Sequence, residues 1–162
     1  SRVPCAEYSP EVQLTVLGLD LGQLLPPVLD VGCGENAHLV RYLNASGIPA
    51  QGIDRSVAVV DKDTQAVNWF NVDIQPSTWG TIISHMALSN HYQFARTAGS
   101  GRVTRMEQVF YRLLTGLKPG GILAYAPAVD GLTRLVNLDH YLISELEVGD
   151  GVLSVQILCK KG

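Results

Sequence analysis

Long apolar runs are the first thing this sequence lacks. Over its 162 residues every hydrophobic stretch is broken by proline, glycine or charge well before the ~18 residues that a membrane-spanning helix needs. Mean hydropathy is only +0.15, and neither a spanning helix nor a secretory leader is expected. Cysteine is scarce too. Cys5, Cys33 and Cys159 are odd in number, scattered and in no metal-ligand spacing, which excludes a disulfide framework and a cysteine metal site and points to a reducing, cytoplasmic setting. Basic residues are few: Lys and Arg total 12 against 15 Asp and Glu, for a net charge of −3. Nucleic acid held through its phosphates needs a broad basic surface, so this balance argues against a nucleic-acid partner. Repeats and low-complexity segments are also missing. Opening on Ser1 rather than Met, the sequence is expected to be a processed or excised piece.

What is present is 46% hydrophobic residues against 17% charged, enough for one core, so residues 1–162 are expected to form a single domain. Short apolar runs alternate with stretches of helical period, the pattern of an α/β protein. Ser9-Pro10 reads as an N-cap with a first-turn proline, opening a helix that ends before Pro26-Pro27. Val28 to Val31 reads as a buried strand, followed by Gly32-Cys33-Gly34-Glu35-Asn36 and a helix with apolar Leu39, Val40 and Leu43 that ends near Gly47. Further strands are expected at Ala50 to Ile53, Asn68 to Val72, Thr81 to Met86 and Ile122 to Ala126, with a short helix over Val57 to Val60. Gln93 to Gly101 reads as a mobile loop, and Val103, Met106, Val109, Phe110, Leu113, Leu114 and Leu117 as one face of a long helix. Two last strands, Tyr141 to Val148 and Val152 to Cys159, flank Gly149-Asp150-Gly151, a hairpin signal. The expected fold is a Rossmann-like, seven-stranded, mainly parallel sheet with helices on both faces and a C-terminal antiparallel hairpin.

A glycine turn between a first strand and a helix removes the Cβ atoms that would block a ligand and aims free helix N–H groups at it. Gly32 and Gly34 occupy such a turn, and Asp54, 20 residues beyond Gly34, ends the second strand where a carboxylate accepts ribose hydroxyls. A nucleoside-containing cofactor follows. The spacing Gly32-x-Gly34-x-x-Ala37 also fits a dinucleotide fingerprint, so the turn alone leaves NAD open. Asp30 tips the choice: a carboxylate two residues before the first glycine repels a pyrophosphate and organises a cationic or amino-bearing ligand. S-adenosylmethionine carries a ribose, an amine and a sulfonium.

At these residues the chain resembles the class I S-adenosylmethionine-dependent methyltransferases. The matching pieces are Val28-Leu29-Asp30-Val31-Gly32-Cys33-Gly34, Gly52-Ile53-Asp54, Val72-Asp73 and Leu117-Lys118-Pro119-Gly120-Gly121-Ile122-Leu123, and with the terminal hairpin they run from Val28 to Lys161. The resemblance implies that Asp30, Gly32 and Gly34 cradle the methionine end of the cofactor, that Asp54 binds its ribose, and that Asp73 with Ile74 meets the adenine. Two positions depart from the family pattern. Asn36 stands where the turn commonly has a third glycine, and Trp79-Gly80 stands where an acid often precedes the fourth strand.

The carboxyl ends of strands face the ligand crevice in this fold, which places His85 and His91 near a transferred methyl group as candidate general bases, with Tyr92 beside them. Residues 94–118 hold five basic side chains, Arg96, Arg102, Arg105, Arg112 and Lys118, against one acid, Glu107. They form either a solvated helix face or a receiver for a carboxylate or phosphate on a small, possibly anionic acceptor. Cys33 is expected to pack as a small apolar side chain, and Glu35 to favour the following helix start through its charge. Acceptor selection falls to the N-terminal segment, residues 87–102 and the stretch around Asp130. The function expected is methyl transfer from S-adenosylmethionine to a nucleophilic atom of a small molecule, with no metal. The alternative from another class is a non-catalytic binding subunit of a larger complex. A nicotinamide-dependent oxidoreductase is disfavoured by Asp30 and the hairpin.

Overall fold

The computed structural model describes residues 8–162, so Cys5 and most of the segment before the first helix lie outside the described residues. Seven strands form one sheet in the order β3-β2-β1-β4-β5-β7-β6. They are β1 (Val28–Val31), β2 (Ala50–Asp54), β3 (Thr64–Ala66), β4 (Trp79–His85), β5 (Leu117–Ala126), β6 (Tyr141–Glu147) and β7 (Leu153–Cys159). β1 to β5 run parallel, and β7 enters antiparallel between β5 and β6. The reversal at Gly149-Asp150-Gly151 uses positive φ at all three residues, which is what the Gly-Asp-Gly run supplies.

Helices cover both faces. α1 (Pro10–Val16) starts where Ser9 accepts the Val12 N–H at 3.2 Å and Pro10 fills the first turn, and α2 is His38–Ala45. These two bury Leu14, Leu17, Leu39 and Leu43 on the side of the sheet that carries Val28, Ile83 and Ala124. α3 (Ala87–Ala98) and α4 (Ser100–Thr115) bury Leu88, Met106, Phe110 and Leu113 against Leu29, Ile82, Leu123 and Tyr125 on the other side. The alternation of strand residues between two cores is the period of two along each strand.

Four sequence expectations are corrected. The first helix ends at Val16, because Gly18 takes φ +69° and the chain continues through a separate 3₁₀ turn at Leu21–Gln23. The short helix over 57–60 is absent; that stretch is a loop pinned by the Ala58 N–H to the Glu35 carbonyl at 2.9 Å. The third strand is Thr64–Ala66 rather than 68–72, where Trp69–Asn71 form a 3₁₀ turn capped by Asn68. Gln93 to Gly101 is no loop: α3 runs through Ala98, and Gly99 at φ +123° alone separates it from α4.

Candidate functional site

The glycine turn leaves β1 with Gly32 at φ +81° and Gly34 at φ +83°, a region that side chains disfavour. The turn is bound to the end of β2 from two directions. Gly32 and Cys33 donate their N–H groups to the Ile53 carbonyl at 2.8 and 3.2 Å, and the Gly34 N–H donates to Asp54 Oδ2 at 3.0 Å. Asp54 Oδ1 accepts from the Ser56 N–H at 2.8 Å. Each carboxylate oxygen has lone-pair capacity left, so Asp54 is oriented by the backbone and still able to accept from a ligand. Cys33 fits against Gly52, where a Cβ would come within 2.8 Å of its sulfur. Burial first, then Asp30 and Asp54, push the Cys33 thiol far up, so it packs as an apolar group.

Asp30 lies beneath this turn, 1% exposed, and its Oδ2 has no hydrogen-bond partner among the described residues. Burial, and next the nearby Asp54 charge, push its pKa up to about 7. A carboxylate buried without a partner is costly, and a cationic ligand would relieve it. The turn's unusual backbone falls on Ala37 (φ +49°) rather than Asn36, which is exposed and not among the positive-φ residues. Glu35 makes no side-chain cap: α2 has none and no acidic residue in its first turn.

The carboxyl end of β4 separates the two candidate bases. Asp30 pairs with Ile83, and His85 follows two residues later, so His85 lies on the same sheet face as Asp30. It is 3% exposed, sits edge-on to Tyr8 with centroids 5.2 Å apart, and its Nδ1 has no partner among the described residues. Burial lowers its pKa to about 4, so it is neutral at pH 7. Ser84 points to the other face, where its hydroxyl donates to the Val31 carbonyl at 2.8 Å and accepts from the Leu88 N–H at 3.0 Å. Met86 then turns the chain at φ +68° into α3. His91, on the second turn of α3, is exposed and lies on the Trp69 ring with centroids 4.5 Å apart and planes 32° from parallel. Desolvation lowers its pKa, Asp54 opposes that shift and Arg55 adds to it. Among the described residues no carboxylate hydrogen-bonds to His85 or His91, so the structure does not bring them together as a base with its orienting acid.

Asp73 and Ile74 are not brought to the turn. A Cβ on Gly116 would lie 2.6 Å from Ile74 Cγ2, and the Ser77 and Thr78 N–H groups donate to the Thr115 and Gly116 carbonyls. Gly116 directly precedes β5, so this stretch lies at the amino ends of the parallel strands, opposite the glycine turn. Asp73 is exposed and accepts from Gln75 Nε2 at 2.8 Å. The residues that do follow the end of β3 are Val67, Asn68 and Trp69, which the sequence reading missed because it set the strand too late. The Val67 N–H donates to the Asp54 carbonyl at 3.2 Å, which fixes them beside β2. Gly80 has its own reason to be glycine: a Cβ there would meet the Leu25 carbonyl oxygen at 2.3 Å.

The arginines have structural contacts. Arg112 donates to the Phe70 and Val72 carbonyls at 3.3 and 3.4 Å, Arg105 lies 4.1 Å from the Phe70 ring centroid, Arg102 lies 5.5 Å from that of Phe94, and Arg96 donates to the Asp130 carbonyl at 3.3 Å. Among the described residues there is no group of three or more His, Cys, Asp or Glu side chains able to hold a metal ion, and no helix is long and apolar enough to cross a membrane.

A parallel sheet that switches direction at β1/β4 and ends in the β6–β7 hairpin, with a glycine turn at the switch point, defines a Rossmann-like ligand-binding fold. More narrowly, it is the fold of the class I S-adenosylmethionine-dependent methyltransferases, as its similarity to solved structures shows. The N-methyltransferase NodS from Bradyrhizobium japonicum WM9, solved with S-adenosyl-L-homocysteine, is 13% identical with a TM-score of 0.63, covering 96% of this chain and 90% of that one. The 1,6-didemethyltoxoflavin-N1-methyltransferase of Burkholderia thailandensis is 14% identical with a TM-score of 0.57, covering 94% and 76%. The [4+2]-cyclase SpnF is 12% identical with a TM-score of 0.59, covering 96% and 83%. No family model matches the sequence. No curated protein matches it either.

Proposed function

We propose that this protein binds S-adenosylmethionine at the Gly32–Gly34 turn and transfers its methyl group to a nucleophilic atom of a small molecule. The observation that carries the reading is the buried Asp30 Oδ2, without a hydrogen-bond partner among the described residues, beneath a glycine turn that Asp54 ties to β2. These residues fit the cofactor. Asp30 is an acceptor awaiting a cation, Gly34 presents backbone without a side chain at φ +83°, and Asp54 keeps acceptor capacity for ribose hydroxyls. Asn68, standing just beyond β3, takes the adenine-side place that the resemblance gave to Asp73 and Ile74. The neighbours NodS and the 1,6-didemethyltoxoflavin-N1-methyltransferase are methyltransferases and were solved with S-adenosylhomocysteine, which supports the same cofactor here.

When bound, the cofactor supplies an electrophilic methyl on a sulfonium, a good leaving group. The work left to this chain is alignment and exclusion of water. His85, neutral and buried, suits a hydrogen-bonding wall of the acceptor site better than a general base, because a pKa of about 4 makes it a weak proton acceptor at pH 7. The arginines of α3 and α4 hold backbone and aromatic rings, which favours an acceptor chosen by shape over one chosen by negative charge.

Calorimetry with S-adenosylhomocysteine and with NAD tests the cofactor: saturable binding of the first alone is expected, and tighter NAD binding overturns the reading. Release of S-adenosylhomocysteine over a panel of small amines, phenols, thiols and carboxylates then tests turnover. SpnF, a cyclase, is similar in fold, so the fold alone does not fix methyl transfer. The second reading, a non-catalytic binding subunit of a larger complex, stands if cofactor binds and nothing in the panel is methylated.

A further inference from the structure

Ala87 and His91 stand four residues apart on α3, one turn, and so share a face of that helix. That face leans over the glycine turn. A Cβ on Gly32 would lie 2.3 Å from Ala87 Cβ and 2.9 Å from the Trp69 ring, and His91 lies directly on that ring. Trp69 is 5% exposed whereas His91 is open to solvent, so the two rings form a step whose outer surface is the imidazole. The Val67 N–H, two residues before Trp69, donates to the Asp54 carbonyl at 3.2 Å, and Asp54 opposes the lowering of the His91 pKa, so the step follows directly from the residue that ties the turn. It is also three residues beyond β3, the neighbour of β2 in the sheet.

We propose that His91 is a wall of the nucleoside pocket: backed by Trp69, its imidazole stacks on the purine ring of the cofactor. The inference rests on the cofactor reading above and reassigns His91 from the acceptor to the cofactor. A nucleoside whose ribose hydroxyls are held at Asp54 carries its base one bond away from that sugar, within reach of the step. The contact needs only an aromatic face, which an uncharged imidazole supplies, and Trp69 holds that face from behind without a hydrogen bond. His85 lies on the opposite face of the sheet and takes no part.

The test uses S-adenosylhomocysteine as the probe and binding as the readout, with no acceptor. His91→Ala is expected to weaken calorimetric affinity about five- to thirtyfold, the lower part of the range for base-on-aromatic stacking, and His91→Phe to restore it to within about threefold of the parent. His91 is exposed, so neither change threatens folding. In the Trp79→Phe protein, whose remaining tryptophan is Trp69, the probe is expected to change the emission; in the Trp69→Phe protein, Trp79 at the start of β4 is expected to report no change. Parent-like affinity in His91→Ala, with the parent binding normally, overturns the inference and leaves the cofactor reading standing. Failure of the parent itself to bind overturns both.

Discussion

Asp54 is fixed by two backbone N–H groups before any ligand arrives, so its replacement has two effects that can be separated. Asp54→Ala removes a charge-assisted acceptor for ribose hydroxyls, and S-adenosylhomocysteine affinity is expected to fall by roughly 1.5–3 kcal/mol in calorimetry. It also unties Gly34, so thermal stability is expected to drop even without ligand. Unchanged affinity would place the ribose elsewhere. Gly32 carries a different lesson. The sequence suggests that a side chain there would intrude on a ligand, but the structure puts Ala87 and Trp69 in its path. With φ +81° added, Gly32→Ala is expected to destabilise the unliganded protein by about 1–3 kcal/mol in urea denaturation. A neutral result would mean that α3 packs more loosely on the turn than described.

Element by element, the sequence was legible where periodicity is strong and short-range. β1, β2, β4 and the terminal hairpin stand within a residue or two of their expected places, and α4 buries Met106, Val109, Phe110, Leu113 and Leu114 of the face that its spacing predicts. Leu117, expected on that face, instead opens β5, which begins five residues before the expected Ile122 because Leu117 pairs with Trp79 of β4. β3 was not legible, because Thr64-Gln65-Ala66 has no apolar alternation and is a strand only through its pairing with Gly52 to Asp54. The aromatic pair Trp69-Phe70 looked more strand-like and drew the reading too far along. The end of α3 was hidden for the opposite reason: its small and polar residues read as a loop, while Leu88, Tyr92 and Ala95 supply a buried helical stripe. The displaced strand has a functional consequence. Asn68→Ala is expected to weaken S-adenosylhomocysteine binding about three- to tenfold, the effect of losing about one hydrogen bond, whereas Asp73→Ala leaves it unchanged. The reverse order in calorimetry would restore the original assignment.

At the scale of the whole molecule, two buried groups on one sheet face give opposite dependences on pH. Asp30 is raised from 3.8 to about 7, so ionising it opposes folding, and its contribution to stability is lost as pH rises from about 4 through 7. His85 is lowered from 6.5 to about 4, so its contribution is lost as pH falls through that window. The parent is therefore expected to show a flatter urea midpoint between pH 4 and 7 than either group alone would give. Asp30→Asn is expected to exceed the parent in midpoint at pH 8, with the advantage shrinking toward pH 5. An advantage that instead grows with acid would contradict the buried, raised carboxyl.

The placement of β7 between β5 and β6 has a bearing on synthesis. β6 leaves the ribosome first yet, among the described residues, pairs only with β7, which is still to be translated. At ~5–20 residues per second the wait is short, but while it lasts Tyr141 and Ile143 have no neighbouring strand to hold them against the core. When β7 emerges it does three things at once: it pairs β5, it pairs β6, and through Ser154 and Gln156 it grips the Leu17 carbonyl at the end of α1. The nascent chain thus keeps an open half-sheet until β7 enters the middle, and only then is α1 locked down.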